Sequence, residues 1–448
     1  MTVSLITRLT NHSKIMKHKH KETRLTKDSF YEASVTREAP LPALDSDISA
    51  DVCVVGGGLA GLSSALELAQ RGYSVVLLEA QLVGWGASGR NGGQALVGFS
   101  SDEAIEQQLP LEEGRRLWNM TVEAMQLMRD RISKYNIECD FTPGYLSVAV
   151  TDKKARELEE WVNSLEQRYN YSMQHVSKDQ IGDWIQSDRY QGGAYDANSG
   201  HAHPLKYTLG IAAAARAAGV KVYENSPVVS IDRGAAPLVK TDKGSVRCNF
   251  VVLAGNVYLN EYGTTVAPEL DKRIMSVGTY IIATEPMEKA RADALIKNRA
   301  AACDTNFVLD YYRPTADNRM LFGGRVSYST ATPINLVGSM RSRMLSVFPQ
   351  LSDLEVPYAW GGFVDISMNR APDFGRVEDN IYYLQGFSGH GLILTGIAGK
   401  VVAEAIAGQS ERFDAFGKIK HHNFPSGQVM RTAAQVLGMW YYQLKEIL

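Results

Sequence analysis

The stretch Asp51–Ala80, "DVCVVGGGLAGLSSALELAQRGYSVVLLEA", constrains the fold of this chain more than any other. Val52, Val54 and Val55 predict a short buried strand, followed by a tight glycine turn. Leu62, Leu66 and Ala69 then recur at helical spacing, Gly72 breaks the helix, and Val75 to Leu78 predict a second strand. A strand, helix and strand in that order make a βαβ unit with its strands parallel. Gly56, Gly58 and Gly61 fit G-x-G-x-x-G at the strand-to-helix junction, with Leu59 and Ala60 between the last two. The first glycine makes the turn and the second lets backbone approach a pyrophosphate. The third lets the helix pack close to the strand, aiming its positive end at the phosphates. Glu79, followed by Ala80, ends the second strand, where an acid accepts hydrogen bonds from ribose hydroxyls and disfavours a 2′-phosphate. An ordinary glycine-rich turn is the competing reading, and the ordered strand, helix, strand and acid weigh against it.

Directly after the ribose acid comes "VGWGASGRNGGQ", Val83–Gln94. An exchangeable nicotinamide needs no second glycine loop there. A flavin dinucleotide, which must carry its isoalloxazine away from the first helix, does. Gly84, Gly86, Gly89, Gly92 and Gly93 let backbone lie against a ring system and pyrophosphate, and Ser88, Arg90, Asn91 and Gln94 supply directed hydrogen bonds.

The chain has 448 residues and a formal net charge of −2. Single cores stop growing at roughly 250–300 residues, so two interlocked domains are expected. Near-neutral charge gives no electrostatic footprint for nucleic acid. Cys53, Cys139, Cys248 and Cys303 are scattered without a C-x-x-C pair, which favours packed thiols in a reducing compartment over a disulfide framework. No run of about 18 apolar residues predicts a membrane span. The basic start, "MTVSLITRLTNHSKIMKHKHKETRLTK", lacks the apolar core of a secretory signal; a solvated tail over residues 1–28 is expected, with Met16 as a second candidate start and targeting or nucleic-acid binding as the alternative use. Together these favour a cytoplasmic protein.

From Asp102 to about Arg168 the pattern reads as mainly helical, with Leu117, Met120, Met125 and Met128 on a packing face. "HPLKYTLGIAAAARAAGVKVYENSPVVSI" returns to helix and then strand, with Gly219 as a C-cap, and "RCNFVVLAGNVYL" is another buried strand. Strand-rich pieces run from Met275 to about Val347, and "NIYYLQGFSGHGLILTGIAGKVVAEAI" is strand, glycine turn and helix again. The α/β pieces fall in three separated blocks. We therefore expect an α/β architecture with a Rossmann-like domain assembled from residues 46–100, 200–262 and 355–410. An inserted mixed-sheet (α+β) substrate domain covers 101–199 and 263–354, and a helical segment covers 411–448. The amphipathic terminal run "VMRTAAQVLGMWYYQLKEIL" suits docking on the domain or a neighbouring subunit, or a membrane surface.

The chain resembles the FAD-dependent D-amino-acid-oxidase-like superfamily, which includes glycine and sarcosine oxidases, and within it the gamma-glutamylputrescine oxidase branch. The residues that carry the resemblance are "SFYEASV", the two glycine motifs, "GHAHPLKY", "MLFGGR", "WGGFVDIS" with "RAPDFG", "GFSGHGLILTGIAGKVVAEAI", "ERFDAF" and "GMWYYQLKEIL". It implies an FAD site built from all three blocks. Gly56, Gly58, Gly61 and Glu79 would hold adenosine and pyrophosphate; Val228 would meet adenine, and Ala254 and Gly255 would lie near the pyrophosphate. Gly389, His390, Gly391 and Leu392 would lie under the flavin pyrimidine. Leu392 to Ile406 reads as a helix, whose N-terminal amides would stabilise charge gathering at the flavin N1–C2=O locus; His390 takes part directly or braces the loop. Some relatives attach flavin through a histidine in the second glycine loop or a late cysteine. Here the loop carries Arg90 and no cysteine follows Cys303, so noncovalent FAD is expected.

The resemblance also implies the chemistry: oxidation of a primary amine C–N bond with hydride transfer to flavin N5, hydrolysis of the imine to an aldehyde, and reduction of O2 to H2O2, in putrescine catabolism. The pocket should favour the neutral amine by desolvation. Tyr311, Tyr312, Arg313 and Arg325 are candidates for the opposite wall, because aromatics flank an aliphatic amine and arginine grips a carboxylate; packing and internal ion pairs are their bland alternatives. The catalytic candidates are Tyr311, Tyr312 and Arg325 from that wall and His390 from the flavin side. Oxidases of this group often use a lysine for oxygen activation, and the sequence places none. His201 with His203, and His421 with His422, lack a third ligand at regular spacing, so no metal is expected. Competing functions are a dehydrogenase of D-amino or N-methyl amino acids that feeds a carrier, a flavin-binding sensor or assembly protein, and a nicotinamide dehydrogenase.

Overall fold

The computed structural model describes residues 29–263, 266–306, 308–327 and 333–425, side chains of 325–327 excepted. The basic start and the amphipathic terminal run lie outside the described residues. Val52–Val55 pairs in parallel with Val75–Leu78, Val52 opposite Val75. On its other side Phe250–Leu253 pairs in parallel, Val252 opposite Val54, and Ile381–Gln385 follows that strand. Lys221–Tyr223 and the antiparallel Asp373–Glu378 form the two edges. Every residue of the two leading strands is buried, as strands covered on both faces require. Three distant blocks of chain thus meet in one sheet. Helices Leu59–Gln70, Pro204–Ala217 and Gly391–Ile406 pack together on one face. A small sheet containing Ile231, Val239 and Val246 seals the other against Cys53, Val76 and Val251.

A second sheet is built around Ile274–Ala283, which pairs antiparallel with both Met320–Ser327 and Tyr358–Ser367. It continues through Tyr311–Pro314, Ala301–Asp304, Thr142–Ala149 and Gly192–His201 to Gln94–Ala95. Helix Leu336–Val347 covers its outer face, packing Met340 and Met344 against Tyr280, Ile282, Tyr312 and Phe322. All four cysteines are free and buried. No single helix among the described residues is long and apolar enough to cross a membrane.

Three sequence expectations need correction. The span read as mainly helical contains the strand Thr142–Ala149, where Pro143 and Gly144 interrupt helix and Leu146 and Val148 alternate inward. Helix Leu111–Lys134, assigned to the substrate domain, packs on the nucleotide side: Leu117, Met120, Met125 and Met128 share a core with Leu62, Leu66, Ile397 and Val401. Arg131 fixes that contact, donating to Ser63 Oγ and Glu67 Oε1 at 3.0 Å each. Tyr358–Ser367, assigned to the nucleotide domain, belongs to the second sheet, and the chain returns to the first only at Asp373–Glu378. Its mixed composition, "YAWGGFVDIS", gave no sign of which sheet would take it.

Helices Leu59–Gln70 and Gly391–Ile406 cross closely enough that a Cβ at Gly399 would sit 2.5 Å from Ser63 Cβ and Ser64 N. Gly399→Ala is therefore expected to cost about 1–3 kcal/mol of stability. Gly114→Ala, in a helix where nothing lies within 4 Å of the new methyl group, should be neutral or gain up to about 1 kcal/mol. Denaturant unfolding of both variants checks this; equal effects would refute the tight crossing.

Candidate functional site

A cavity of about 460 Å³ is walled by both sheets. At one end stands the first glycine turn. Gly56 has φ +113°, and a Cβ there would lie 2.6 Å from Ala254 O; a Cβ on Gly61 would lie 1.9 Å from Gly56 O. No side chain fits at either place, so strand, turn and helix meet backbone to backbone. Gly56, Gly58, Leu59 and Ala60 line the cavity, while Gly61 stays behind them in the helix–strand contact. Glu79 and Ala80 line it too, as do Val228, Ala254 and Gly255. Glu79 is held by backbone: Oε2 accepts from Gly57 N at 2.6 Å and Oε1 from Gln81 N at 2.8 Å. Burial raises its pKa against those amide bonds.

The second glycine loop folds back over the first. Ser88 Oγ accepts from Leu59 N at 2.9 Å, capping the helix that the first motif opens. Ser88, Asn91, Gly92 and Gln94 line the cavity; Gly89, Arg90 and Gly93 support the loop from behind. Asn91 Oδ1 accepts from Gly93 N at 2.8 Å, and Gln94 Nε2 reaches Ala302 O at 3.3 Å. Gly89 and Gly93 are close-approach positions, with a Cβ landing 2.2 Å from Gly84 O and 2.2 Å from Ala202 O. The Arg90 guanidinium lies 4.2 Å over the Trp85 ring. Arg90 is 5% exposed, neither Nη atom has a partner, and burial lowers its pKa.

The third block supplies a helix end. Gly389, His390, Gly391 and Leu392 line the cavity at the start of Gly391–Ile406, whose first amides have no intrahelical acceptor. His390 Nδ1 is buried without a partner, and burial pulls the imidazole down to about 4, so it is neutral at pH 7. The turn before it is clamped to the second sheet by an acid the sequence reading overlooked. Asp365 Oδ2 accepts from Gly386 N at 2.6 Å and Phe387 N at 2.9 Å, and Asp365 O accepts from Ser388 N at 3.0 Å. Burial pushes its carboxyl up to about 6. An acid inside the apolar strand "WGGFVDIS" was the available signal. Asn256, Tyr258, Thr395 and Arg370 also line the cavity and were not anticipated.

The expected opposite wall is only partly there. Tyr311 lines the cavity, its ring 2.6 Å from where a Gly92 Cβ would be. Tyr312, next along the strand, points to the other face, where its hydroxyl donates to Tyr190 at 2.7 Å and its ring stacks on Phe322. Strand alternation makes only one of two neighbouring tyrosines available. Arg313 is a brace, donating to Gly92 O at 2.9 Å, Ala202 O at 3.1 Å and Tyr31 Oη at 3.2 Å. The Arg325 side chain lies outside the described residues. Among the described residues no lysine lines the cavity, and no cluster of three or more His, Cys, Asp or Glu is placed to hold a metal. His203 caps its helix, Nδ1 accepting from Lys206 N at 3.2 Å, and His201 Nε2 meets Arg299 O at 2.9 Å.

These walls fit a flavin dinucleotide. The glycines leave room where any Cβ would intrude, an acid and a small-residue turn stand at one end, and a helix N-terminus lies beyond. Orphaned buried polar atoms collect on the same cavity: Asn256 Oδ1, Tyr258 Oη, His390 Nδ1 and Thr395 Oγ1, with the Arg90 guanidinium behind the loop. Buried polar groups without partners are costly, so their concentration marks where a polar ligand belongs.

The comparisons agree. The family model "FAD dependent oxidoreductase" matches residues 51–405. The chain is 43% identical to gamma-glutamylputrescine oxidoreductase of Escherichia coli over 93% of its length and 98% of the relative's. It is 41% identical to the probable oxidoreductase OrdL of Haemophilus influenzae over 93% and 96%. In fold it is similar to glycine oxidase from Geobacillus kaustophilus, with TM-score 0.70, 19% identity, and coverage of 84% of this chain and 99% of that one.

Two outcomes test the site. Arg90→Ala should weaken flavin retention on dialysis, because its guanidinium backs Trp85 in the cavity wall, by about two- to tenfold in dissociation constant; undiminished retention removes Arg90 from the site. For His390, the folded pKa lies below the unfolded one, so between about 6.5 and about 4 the unfolded chain binds a proton the folded chain refuses. Stability therefore falls as pH drops through that window, by up to about 2 kcal/mol between pH 7 and pH 5. His201 and His203, held down to about 3, act in the same direction. His390→Gln should lose part of this acid sensitivity in denaturant unfolding at the two pH values; an unchanged difference contradicts a buried neutral imidazole.

Proposed function

The chain belongs to the FAD dependent oxidoreductase family, and we propose that it oxidises the terminal primary amine of gamma-glutamylputrescine or a similar N-acylated diamine. Noncovalently bound FAD would serve, with O2 as electron acceptor, in putrescine catabolism in the cytoplasm. Bound FAD supplies a hydride acceptor at N5 and passes the electrons to O2 as H2O2.

The observation that carries this reading is the composition of the cavity wall on the second sheet. Tyr145, Met275, Val277, Thr279, Cys303 and Val364 line it, and among the described residues Arg370, at the exposed rim, is the sole lysine or arginine in the lining. An α-amino acid carries its carboxylate on the reacting carbon and needs a fixed cation there, because an unpaired buried carboxylate is costly. Among the described residues this wall offers none, which weighs against the D-amino-acid and N-methyl-amino-acid alternatives. It suits an aliphatic amine, and the same dryness holds that amine neutral, with its lone pair free to assist loss of hydride from the neighbouring carbon. The amides at the start of Gly391–Ile406 would face charge developing on the bound group, with the unpartnered Nδ1 of neutral His390 beside them. Cys303, the thiol in the wall, is held far above its ordinary pKa by burial, so it is a poor nucleophile towards the ring; that supports noncovalent attachment. The 43% identity to a protein named for gamma-glutamylputrescine supports the substrate.

Anaerobic mixing with gamma-glutamylputrescine, putrescine, sarcosine, glycine and D-alanine tests the reading. The yellow colour should bleach with gamma-glutamylputrescine and persist with sarcosine, glycine and D-alanine. Air should then restore the colour with peroxide in step with amine consumed. Bleaching by an amino acid alone would overturn the substrate class; bleaching without peroxide would make the protein a dehydrogenase; and no bleaching by any compound would leave the sensor reading standing.

A further inference from the structure

The face of the second sheet that meets the nucleotide-binding half carries an ordered strip. Met275, Val277 and Thr279 alternate along one strand, with Ile366 opposite Met275 and Val364 opposite Val277 on the next, and all five line the cavity. At roughly 3.4 Å per residue, Met275 to Thr279 spans about 14 Å. The Thr279 end is the inner one. Thr279 hydrogen-bonds Tyr311, whose ring abuts Gly92 of the second glycine loop. At the other end the strand Tyr358–Ser367 stops, and Arg370 follows in the turn beyond it.

Arg370 is exposed, lines the cavity, and has φ +61°, a left-handed conformation uncommon for a long side chain. The turn that holds it is tied down. Arg370 N donates to Ser367 O at 3.0 Å, Ser367 Oγ donates to Ala371 O at 2.6 Å, and Ser367 N donates to Ser388 Oγ at 3.4 Å. A strained residue kept in a well-supported turn points to a use for its side chain.

We propose that Arg370 determines the class of amine accepted, by pairing with a carboxylate carried at the far end of the substrate from the carbon that is oxidised. This rests on the amine-oxidation reading above and adds to it. In gamma-glutamylputrescine the carboxylate lies roughly nine bonds from the reacting carbon, on the order of 11 Å when extended, close to the length of the strip. The aliphatic middle lies on Met275, Val277, Val364 and Ile366, and the guanidinium meets the carboxylate where the cavity opens to water. An ω-amine without that distant charge binds the same strip with nothing to hold its outer end.

The test compares the wild-type protein, Arg370→Gln and Arg370→Lys, each loaded with FAD. Steady-state rates are taken with gamma-glutamylputrescine and with N-acetylputrescine, which lacks the carboxylate. Calorimetry measures binding of gamma-glutamyl-n-butylamide, which keeps the carboxylate and lacks the terminal amine that is oxidised. For Arg370→Gln, the KM for gamma-glutamylputrescine and the Kd of the butylamide should both rise on the order of two- to fivefold, as loss of an ion pair at a water-exposed rim implies. The kcat should fall far less, the preference for gamma-glutamylputrescine over N-acetylputrescine should collapse, and Arg370→Lys should restore part of it. Unaltered butylamide binding, or equal losses on both substrates, overturns the role of Arg370 while leaving amine oxidation intact. A wild-type protein bleached by neither amine overturns the amine reading and this inference together.

Discussion

The backbone at Gly56 is the constraint on which the rest of the structure depends. Its carbonyl lies where a Gly61 side chain would go, and its own missing side chain leaves space for Ala254 O. That contact brings the first strand, the first helix and the Phe250–Leu253 strand together without side chains between them. Since the strands are parallel, each leaves its carboxyl end on the same side of the sheet, and the crevice outside those ends is where α/β sheets bind ligands. The second glycine loop is then folded over the turn by Ser88, and the last block brings a helix end to the same crevice.

The polar side chains on this cavity are held largely by backbone amides. Glu79 is held by amides of its own turns, Ser88 by the helix it caps, and Asp365 clamps two amides of the turn before His390. Such groups are fixed before any ligand arrives and need no reorganisation when charge develops beside them. The second sheet contributes a different quality: an apolar strip between a tyrosine at the inner end and an arginine at the rim. One half presents fixed polar groups to the cavity, and the other an apolar face.

Much of the first half was legible in the sequence because glycine spacing encodes backbone approach, and backbone approach is what the site uses. Gly56, Glu79, Ser88 and His390 could each be placed from their neighbours in sequence. The second half was less legible because it is built from pairings between strands far apart in sequence. Nothing local in "WGGFVDIS" says that it joins the strand Ile274–Ala283, or that Asp365 will reach Gly386. Tyr311 and Tyr312 are equivalent by composition, and only register decides that one faces the cavity while the other enters the core with Tyr190. Arg313 looked suited to a carboxylate, yet its fork is spent on Gly92 O, Ala202 O and Tyr31. Arg370, in a turn with no motif, carries the charge at the rim.

The central claim is that the glycine turn with Glu79 and the helix end at Gly391 are two ends of one site for a single dinucleotide. Thermal unfolding of the flavin-stripped protein, with FAD or FMN added at matched concentrations, tests this most directly. FAD would span both ends and should raise the melting temperature well above any rise from FMN, which lacks the adenosine half. Equal stabilisation by the two, or none by either, would contradict the account.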